Sequence, residues 1–372
     1  MIDCLEKLGA EVRISAEDLF EVRGISNETI GCDLHLSCRE SGVTINFLSG
    51  IASILPGNVI LDGDSGLLGR PIGELVEGLR QLGVKVRYLG EKGYPPIEIS
   101  SDAITGGTSV MAGSITSQYF SSLAIASVFS DSDTSILCDG DMLEKPYLDI
   151  TLEMMGQFGV TAHHNQYREI RVQCGQKYKP AEIWIEGDYT SASYFLVGAA
   201  ICGGTIEIHR LKSNSSQGDR LVIELLRDMG CDIDINDDVI RLQGRELRPI
   251  DCDLSDNPDL VPSLAVAASF CEGISYIRNI EHLRYKESDR ITSMINGLNN
   301  MGVQAGCSSR DLVIFGNPHQ IHGAEIRSYN DHRVAMSFAV AGLRVGGIVI
   351  DNEKCVEKSY PDFWIHFQKF YQ

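Results

Sequence analysis

A repeat of about 71 to 76 residues constrains this fold more than any other feature of the sequence. Five predicted helices end in the same way, with an apolar residue, a glycine and a return to a strand; the glycines are Gly9, Gly83, Gly159, Gly230 and Gly302. Successive members of this series are 74, 76, 71 and 72 residues apart. Glycine suits the C′ position after a helix, where the backbone is left-handed. The pattern predicts helices at 1–9, 72–83, 148–159, 219–230 and 289–302.

Strand signals follow several of these glycines. Alternating apolar residues predict strands at 11–14, 84–88 and 231–235. A last helix, predicted at 361–371, falls where a sixth unit is due. Units of this length are too long for a solenoid repeat and favour two domains of three pseudo-symmetric units, with the helices packed inward. We place the domains at 1–185 and 186–372, with the boundary near Glu186.

The first unit is short at its start. Its predicted helix begins at residue 1, although a full unit at this period needs roughly sixty more residues before it. The repeat therefore predicts either that the first unit is incomplete or that the start codon lies inside a longer reading frame.

Composition limits the class of protein. A chain of 372 residues with 43% hydrophobic and 22% charged residues is typical of a globular protein of more than one domain. No apolar run is long enough to span a bilayer, and the first residues do not resemble a secretory signal. Eleven scattered cysteines without a Cys-x-x-Cys pair predict reduced thiols and a cytoplasmic location.

The net charge of -19 argues against nucleic acid or an anionic membrane as a partner. The net charge does not argue against a small anionic substrate, because a local cationic pocket can lie inside an acidic protein.

The segment from His282 to Arg290 concentrates charge at a predicted helix start. It contains three basic residues, two acidic residues and a histidine. This arrangement places a proton donor, a proton acceptor and anion-binding cations at a helix N-terminus, which itself attracts anions. The alternative is a solvated helix start with Ser288 as its cap.

Other candidate residues share one position, at or just before a predicted helix start. They are Arg70, Ser117, Asp188, Asp259, Arg290, Arg333 and Lys358. Taken singly, each is more simply a cap or a solvated charge. Threefold units in two facing domains would aim these starts into one cleft and create a receptor for a multiply anionic ligand. The run from Thr116 to Gln118 is equally a series of helix caps or a hydroxyl-and-amide cradle for phosphate.

The motifs in combination resemble one known family along the whole chain. In the first half they are Arg39-Glu40-Ser41-Gly42, Arg70-Pro71, Gly93-Tyr94-Pro95-Pro96-Ile97, Ser117-Gln118-Tyr119 and Lys145-Pro146-Tyr147. In the second half they are Glu186-Gly187-Asp188, Gln217-Gly218-Asp219, Pro258-Asp259-Leu260-Val261-Pro262, Lys286-Glu287-Ser288-Asp289-Arg290 and Asp331-His332-Arg333. The chain resembles the EPSP synthases (3-phosphoshikimate 1-carboxyvinyltransferases), and more particularly their archaeal-type members.

The resemblance implies a fold, a reaction and a monomer. The fold is α/β, with two domains of repeated βαβαββ units that form an inverse α/β barrel of the enolpyruvyl transferase type, here with the first unit incomplete. The reaction transfers the enolpyruvyl group of phosphoenolpyruvate to the 5-hydroxyl of shikimate 3-phosphate in the pathway to chorismate. The family needs neither a metal nor an organic cofactor.

The resemblance also implies the site residues. Asp259 would accept the proton of the attacking hydroxyl, Glu287 would handle a proton at the enolpyruvyl carbon, and Lys286 would contact the shikimate ring. The shikimate 3-phosphate site would contain Thr116, Ser117, Gln118, Glu144, Asp259, His282 and Lys286. The phosphoenolpyruvate site would contain Gly42, Arg70, Gln118, Arg290, Arg333 and Lys358.

The sequence departs from the family pattern at several positions. Asn46 replaces an arginine in the Gly42 loop, Val43 replaces a serine or threonine, and Glu144 stands where a phosphate-binding serine is usual. An anion at residue 144 should oppose a phosphate unless it points away. The family's N-terminal Pro-x-Ser-Lys-Ser segment, whose lysine touches both substrates, has no counterpart here. We therefore expect slow turnover or none from these 372 residues alone.

Two alternatives stay open at this point. One is a carboxyvinyltransferase with another acceptor, such as a nucleotide sugar. The other is a paralogue that is non-catalytic or depends on a partner chain. The Lys-Glu-Ser-Asp-Arg and Asp-His-Arg segments favour the shikimate branch.

Overall fold

A computed structural model of the chain describes residues 1–16, 19–25, 33–100, 103–308 and 310–371. Contacts divide the chain into two compact units, Met1–Ile183 and Trp184–Gln372. The boundary that we predicted, between residues 185 and 186, lies slightly further along the chain. No helix among the described residues is long and apolar enough to cross a membrane, and the described cysteines are free thiols.

The first unit alternates helices and strands. Its helices are α1 (Ile2–Lys7), α2 (Gly42–Ala52), α3 (Ser65–Leu68), α4 (Gly73–Gln81), α5 (Gln118–Ser127) and α6 (Lys145–Gln157). Its strands are β1 (Glu11–Ala16), β2 (Leu19–Arg23), β3 (Leu34–Ser37), β4 (Asn58–Asp62), β5 (Lys85–Tyr88), β6 (Ile97–Ser100), β7 (Gly107–Ala112), β8 (Thr134–Asp139), β9 (Ala162–Asn165) and β10 (Glu169–Val172).

Two sheets of the first unit have the same topology. Their strand orders are β3-β4-β6-β5 and β7-β8-β10-β9. In each, the first two strands are parallel and the remaining pairs are antiparallel. Each sheet therefore belongs to one βαβαββ unit, whereas among the described residues β1 and β2 form a two-stranded sheet of their own.

The second unit repeats the pattern. Its helices are α7 (Tyr189–Cys202), α8 (Val222–Asp228), α9 (Val261–Ser269), α10 (Arg290–Asn300), α11 (His332–Ala341) and α12 (Phe363–Phe367). Its strands are β11 (Thr205–His209), β12 (Asp232–Asn236), β13 (Val239–Gln243), β14 (Asp251–Asp253), β15 (Gly273–Arg278), β16 (Gln304–Ser308), β17 (Asp311–Gly316), β18 (Glu325–Ile326) and β19 (Val349–Ile350). The sheets are β11-β13-β12, β14-β15-β17-β16 and β18-β19.

The helices that open the units face inward, as the repeat predicts. In the second unit α7, α9 and α11 pack against one another, and in the first unit α2 packs against α5. Almost every residue of α7, α9 and α11 is buried. A helix that is apolar on all sides must lie in the core, so the sheets cover these helices from outside. Polar side chains can therefore lie together at the ends of these helices, such as their N-termini.

The glycines that define the repeat have the predicted left-handed backbone. Their φ angles are 95° at Gly9, 88° at Gly83, 80° at Gly159, 107° at Gly230 and 83° at Gly302. At Gly83 a Cβ atom would also approach Thr105 Cγ2 to 2.9 Å. Glycine occurs at these positions because the backbone turn between each helix and the following strand needs a positive φ angle.

Three predicted helix boundaries were wrong. The helix predicted at 148–159 begins at Lys145, because Pro146 occupies its first turn, where a fixed φ favours helix initiation. The helix predicted at 219–230 is a 3₁₀ turn, Gly218–Leu221, followed by α8. The helix predicted at 361–371 is α12 followed by a 3₁₀ segment, Gln368–Tyr371.

Candidate active site

Arg290, the first residue of α10, lies at the centre of a group of carboxylates in the second unit. Only 1% of its surface is exposed. Its Nη1 donates to Asp259 Oδ1 at 2.7 Å, its Nη2 to Glu287 Oε2 at 2.7 Å, and its Nε to Asp331 Oδ2 at 2.8 Å. Each edge of the guanidinium is therefore satisfied by an acid, which fixes its plane and stabilises its buried charge.

Two more cations complete this group. Arg333 Nη2 donates to Asp259 Oδ2 at 2.7 Å, and its Nη1 donates to the Tyr194 hydroxyl at 3.3 Å. Lys358 Nζ donates to Glu287 Oε1 at 2.6 Å. Three carboxylates and three cations thus form one network, the acid–cation cluster: Asp259, Glu287, Arg290, Asp331, Arg333 and Lys358. Five of these six residues were predicted to belong to the site. The sixth, Asp331, was noted only as part of the Asp331-His332-Arg333 motif.

The cluster lies at helix starts. Arg290 opens α10, and Arg333 stands in the first turn of α11. Asp331 caps α11 by accepting from Arg333 N at 2.9 Å, and its other oxygen accepts from Arg290. The positive ends of these helices add to the cationic side chains at this point.

The cap-and-solvent interpretation of the segment 282–290 is wrong. Asp289, and not Ser288, caps α10, by accepting from Thr292 N at 3.1 Å. Ser288 Oγ instead donates to Asp331 Oδ2 at 3.1 Å. Asp259 is also not a cap, since both of its oxygens are engaged by arginines. By contrast, Asp188 does cap α7, accepting from Thr190 N and Ser191 N.

The charges of the acid–cation cluster lower the pKa of Asp259 and raise the pKa of Arg290. Burial raises the pKa of Asp259, but Arg333, Arg290 and Lys286 outweigh burial and hold this pKa below its usual range. Burial lowers the pKa of Arg290, and the neighbouring carboxylates raise it further than burial lowers it. The Asp259 carboxylate is therefore ionised at neutral pH, and it is a weak base as long as both arginines hold it.

A second carboxylate, Asp219, is close enough to Asp259 for the two to repel each other. It accepts from Thr190 Oγ1 and from Asn257 Nδ2, the latter at 3.3 Å. Burial, followed by repulsion from Asp259, raises the pKa of Asp219 to about 6. We did not predict this residue as part of the site; only its motif, Gln217-Gly218-Asp219, was a signal.

Two buried histidines flank the cluster. Burial, followed by Lys286, lowers the pKa of His282 to about 3. Burial, followed by Arg333, lowers the pKa of His332 to about 3. Both rings are neutral at physiological pH and add no charge to the site. Lys286 is close enough to act electrostatically on both His282 and Asp259.

In the first unit, Gly42 and Arg70 lie together. A Cβ atom on Gly42, the first residue of α2, would be 3.0 Å from Arg70 Nη1. Glycine therefore leaves room for the guanidinium beside the start of this helix. Asn46 lies one turn later within α2, rather than in a loop. Its Nδ2 donates to Gln118 Oε1 at 3.0 Å.

Thr116, Ser117 and Glu144 form a second group in the first unit. Glu144 is fully buried, with a left-handed φ of 59°, and directly precedes α6. Its Oε2 accepts from Thr116 Oγ1 at 2.5 Å, and its carbonyl oxygen accepts from Ser117 Oγ at 2.6 Å. Ser117 stands at the N-cap position of α5 but does not cap it with its side chain. The Glu144 carboxylate therefore points toward the predicted phosphate cradle.

In the part of the chain that the structure describes, no three His, Cys, Asp or Glu residues are placed to hold a metal ion.

The predicted site residues form one group in each unit. The second unit holds Asp259, Glu287, Arg290, Arg333 and Lys358 together, with His282 and Lys286 close by. The first unit holds Gly42 with Arg70, and Thr116 and Ser117 with Glu144, beside Gln118.

Proteins of one family resemble this chain over most of its length. The family model for EPSP synthase (3-phosphoshikimate 1-carboxyvinyltransferase) matches residues 1–367. A 3-phosphoshikimate 1-carboxyvinyltransferase of Shewanella piezotolerans is 36% identical over 371 residues, which are 99% of this chain and 87% of that protein. One from Methanoculleus marisnigri is 37% identical over 333 residues, 89% of this chain and 78% of that protein. The solved EPSP synthase of Acinetobacter baumannii has a TM-score of 0.82 at 27% identity, covering 99% of this chain and 86% of that one. The chain therefore belongs to the EPSP synthase family.

Proposed function

We propose that this protein transfers the enolpyruvyl group of phosphoenolpyruvate to the 5-hydroxyl of shikimate 3-phosphate and releases phosphate. Family membership and the names of its relatives support this reaction. The observation that carries the proposal is the Asp259 carboxylate, held at 2.7 Å by both Arg290 and Arg333. A proton acceptor and anion-binding cations at one point are what the reaction needs.

The cations of the cluster bind phosphoenolpyruvate. This substrate carries a carboxylate and a phosphate, and arginine donates to such groups through two parallel hydrogen bonds. In the cluster, Arg333 and Lys358 now donate to Asp259 and Glu287. The substrate anion replaces part of these contacts, so that its binding releases both acids for proton transfer.

Proton transfer then follows from the freed carboxylates. Asp259 takes the proton of the acceptor hydroxyl as that oxygen bonds to C2 of phosphoenolpyruvate, and Glu287, in its acid form, gives a proton to C3. The tetrahedral intermediate next returns a proton from C3 to Glu287, the bond between C2 and the phosphate oxygen breaks, and phosphate leaves with the proton that Asp259 had taken. Lys286 contacts the shikimate ring.

The first unit supplies the remaining contacts. Thr116, Ser117 and Gln118 bind the acceptor, together with His282 of the second unit, and Gly42, Arg70 and Gln118 contribute to binding phosphoenolpyruvate. The expectation that both groups face one cleft stays a prediction. The same holds for a monomer, for a cytoplasmic location, and for the exclusion of nucleic acid and membrane as partners.

Phosphate release from phosphoenolpyruvate tests the proposal. We expect release only when shikimate 3-phosphate is also present, whatever the absolute rate. Arg333→Ala should raise the KM for phosphoenolpyruvate by about 100-fold or more, because it removes a charge-assisted contact. Tyr194→Phe removes only the hydroxyl beside Arg333 and should change KM by less than about fivefold. Release without the acceptor, or equal KM values for Arg333→Ala and the wild type, would reject the proposal.

A further inference from the structure

Asp219 connects helix α7 to the turn that carries Asp259. It belongs to the 3₁₀ turn Gly218–Leu221, and only 6% of its surface is exposed. Its Oδ2 accepts from Thr190 Oγ1, and its Oδ1 accepts from Asn257 Nδ2 at 3.3 Å. Two neutral side chains therefore hold the two oxygens, which fixes the position of the carboxylate.

Asn257 places this carboxylate beside the proposed base. It directly precedes the 3₁₀ turn Pro258–Leu260, whose middle residue is Asp259. The Leu260 N–H donates to the Asn257 carbonyl oxygen at 3.1 Å and so closes the turn. A side chain that binds Asn257 therefore also fixes the backbone two residues before Asp259.

Thr190 ties Asp219 to a second element of the site. Thr190 lies one turn before Tyr194 in α7, and the Tyr194 hydroxyl accepts from Arg333 Nη1 at 3.3 Å. Arg333 is one of the two arginines that hold Asp259. Asp219 thus contacts both the turn that carries Asp259 and the helix that contacts its partner arginine.

These contacts do not explain why residue 219 carries a charge. An asparagine could accept one of the hydrogen bonds and donate the other, because the Thr190 hydroxyl and the Asn257 amide each contain an acceptor. A buried carboxylate beside another carboxylate instead costs stability. This cost is reflected in the pKa of Asp219, which burial and then Asp259 raise to about 6. Acids perturbed in this way concentrate where a protein uses them in its chemistry.

The repulsion between two carboxylates acts on both of them. When Asp219 is ionised, it therefore increases the proton affinity of Asp259, whereas Arg290 and Arg333 decrease it. The charges that act on Asp219 itself are Asp259 and Arg333, and its hydrogen-bond donors are Thr190 and Asn257.

We propose that Asp219 is a positioning residue that acts through Asp259: its charge, fixed beside the turn that carries Asp259, makes that carboxylate a stronger base for the acceptor hydroxyl. The effect exists only above about pH 6, where Asp219 is ionised. This inference rests on the proposed function, since Asp259 is the proposed base of that reaction.

A ¹³C NMR titration of the aspartate carboxyl groups measures the coupling without turnover. Asp219→Asn identifies the Asp219 resonance by its loss, and we expect this resonance to titrate near pH 6 in the wild type. In Asp259→Asn the midpoint should fall by about one pH unit or more, because the repulsion is gone. Asp228→Asn, which removes an exposed acid at the end of α8, is the matched control and should leave the midpoint unchanged.

The rate of phosphate release is the second readout. The kcat of the wild type should be within about twofold of that of Asp219→Asn at about pH 5, where Asp219 is protonated, and about tenfold higher at about pH 7.5. A purely structural role would lower kcat by the same factor at both pH values. The KM for phosphoenolpyruvate should change by less than about threefold, since the variant removes no cation that binds this substrate.

An unchanged midpoint in Asp259→Asn, or a ratio of kcat values that is the same at both pH values, would overturn the inference. If release is too slow to measure, the midpoint alone decides. A shifted midpoint with release that does not require shikimate 3-phosphate would reject the proposed reaction and leave the coupling of the two acids standing. Release that requires shikimate 3-phosphate with an unchanged midpoint would reject only the role of Asp219.

Discussion

Asp259 and Arg290 form an ion pair in which Oδ1 lies 2.7 Å from Nη1, and only 1% of Arg290 is exposed. The second oxygen of Asp259 binds Arg333 at the same distance. A buried pair of this kind stabilises a structure weakly overall, but removal of one partner leaves a costly uncompensated charge. The geometry is therefore better explained by the chemistry of the site than by stability.

Asp259→Ala should abolish the activity, with a loss of about 1000-fold or more in kcat, because it removes the proposed proton acceptor. Asp259→Asn keeps the shape of the side chain and should lose a similar factor. Thermal unfolding should show that both variants are folded, with Ala less stable than Asn. A rate close to that of the wild type in either variant would remove Asp259 from the reaction.

Binding of phosphoenolpyruvate should take up protons. The arginines hold the pKa of Asp259 low in the free protein, and an anion that binds them raises this pKa, so that the carboxylate gains protons on binding. Affinity should therefore increase as the pH falls from about 5 to about 4, where an aspartate of ordinary pKa begins to take up protons. Calorimetry in buffers of different ionisation enthalpy measures the uptake, and Asp259→Asn should reduce it. Identical uptake in both proteins would show that Asp259 is not coupled to the ligand.

Asp219→Asn should stabilise the protein more at about pH 7.5 than at about pH 5. The folded-state pKa of Asp219 is raised to about 6, mainly by burial and then by Asp259. The folded state therefore binds more protons than the unfolded state between about pH 4 and 6, and the protein loses stability as the pH rises through that range. The groups that face Asp219 are Asp259, Arg333, Thr190 and Asn257. Unfolding temperatures of both proteins at the two pH values give the difference, and an equal shift at both would contradict this pKa.

Gly297→Ala should destabilise the protein by about 1–3 kcal/mol, since overpacking costs this much. A Cβ atom at Gly297 in α10 would collide with the Phe338 ring of α11, and these two helices carry Arg290 and Arg333. Gly156→Ala, in α6, is the control because nothing lies within 4 Å of its Cβ position. It should be neutral or stabilise by about 0.5–1 kcal/mol, as alanine favours a helix. Denaturant unfolding measures both changes, and equal effects would show that α10 and α11 are not in close contact.

The local part of the fold was readable from the sequence. At Gly83 and at Gly302 the backbone has a positive φ angle, which favours glycine. This requirement depends on one residue at a time, so the recurring glycines are visible in the sequence. The surroundings of Arg290 were not readable, because its partners Asp259 and Asp331 lie 31 and 41 residues away. A charge-rich segment looks the same in sequence whether water or three carboxylates surround its arginine.

The direction of a side chain was equally hidden. The sequence indicated that Glu144 departs from the family pattern, but only the fold shows that its carboxylate turns toward Thr116, 28 residues away. Asp219 was missed for the same reason, since its contacts with Thr190 and Asn257 depend on long-range packing. Patterns within one element predict its structure, whereas contacts between elements decide the chemistry.

The most direct test of the central claim is ³¹P NMR of phosphoenolpyruvate and shikimate 3-phosphate mixed with the protein. The account predicts that the phosphoenolpyruvate resonance declines while inorganic phosphate and a new phosphorylated ether appear in equal amounts. The same mixture with Asp259→Asn should stay unchanged over the same period. Inorganic phosphate without the phosphorylated ether in the wild-type mixture, or product formation by Asp259→Asn at the wild-type rate, would contradict the account.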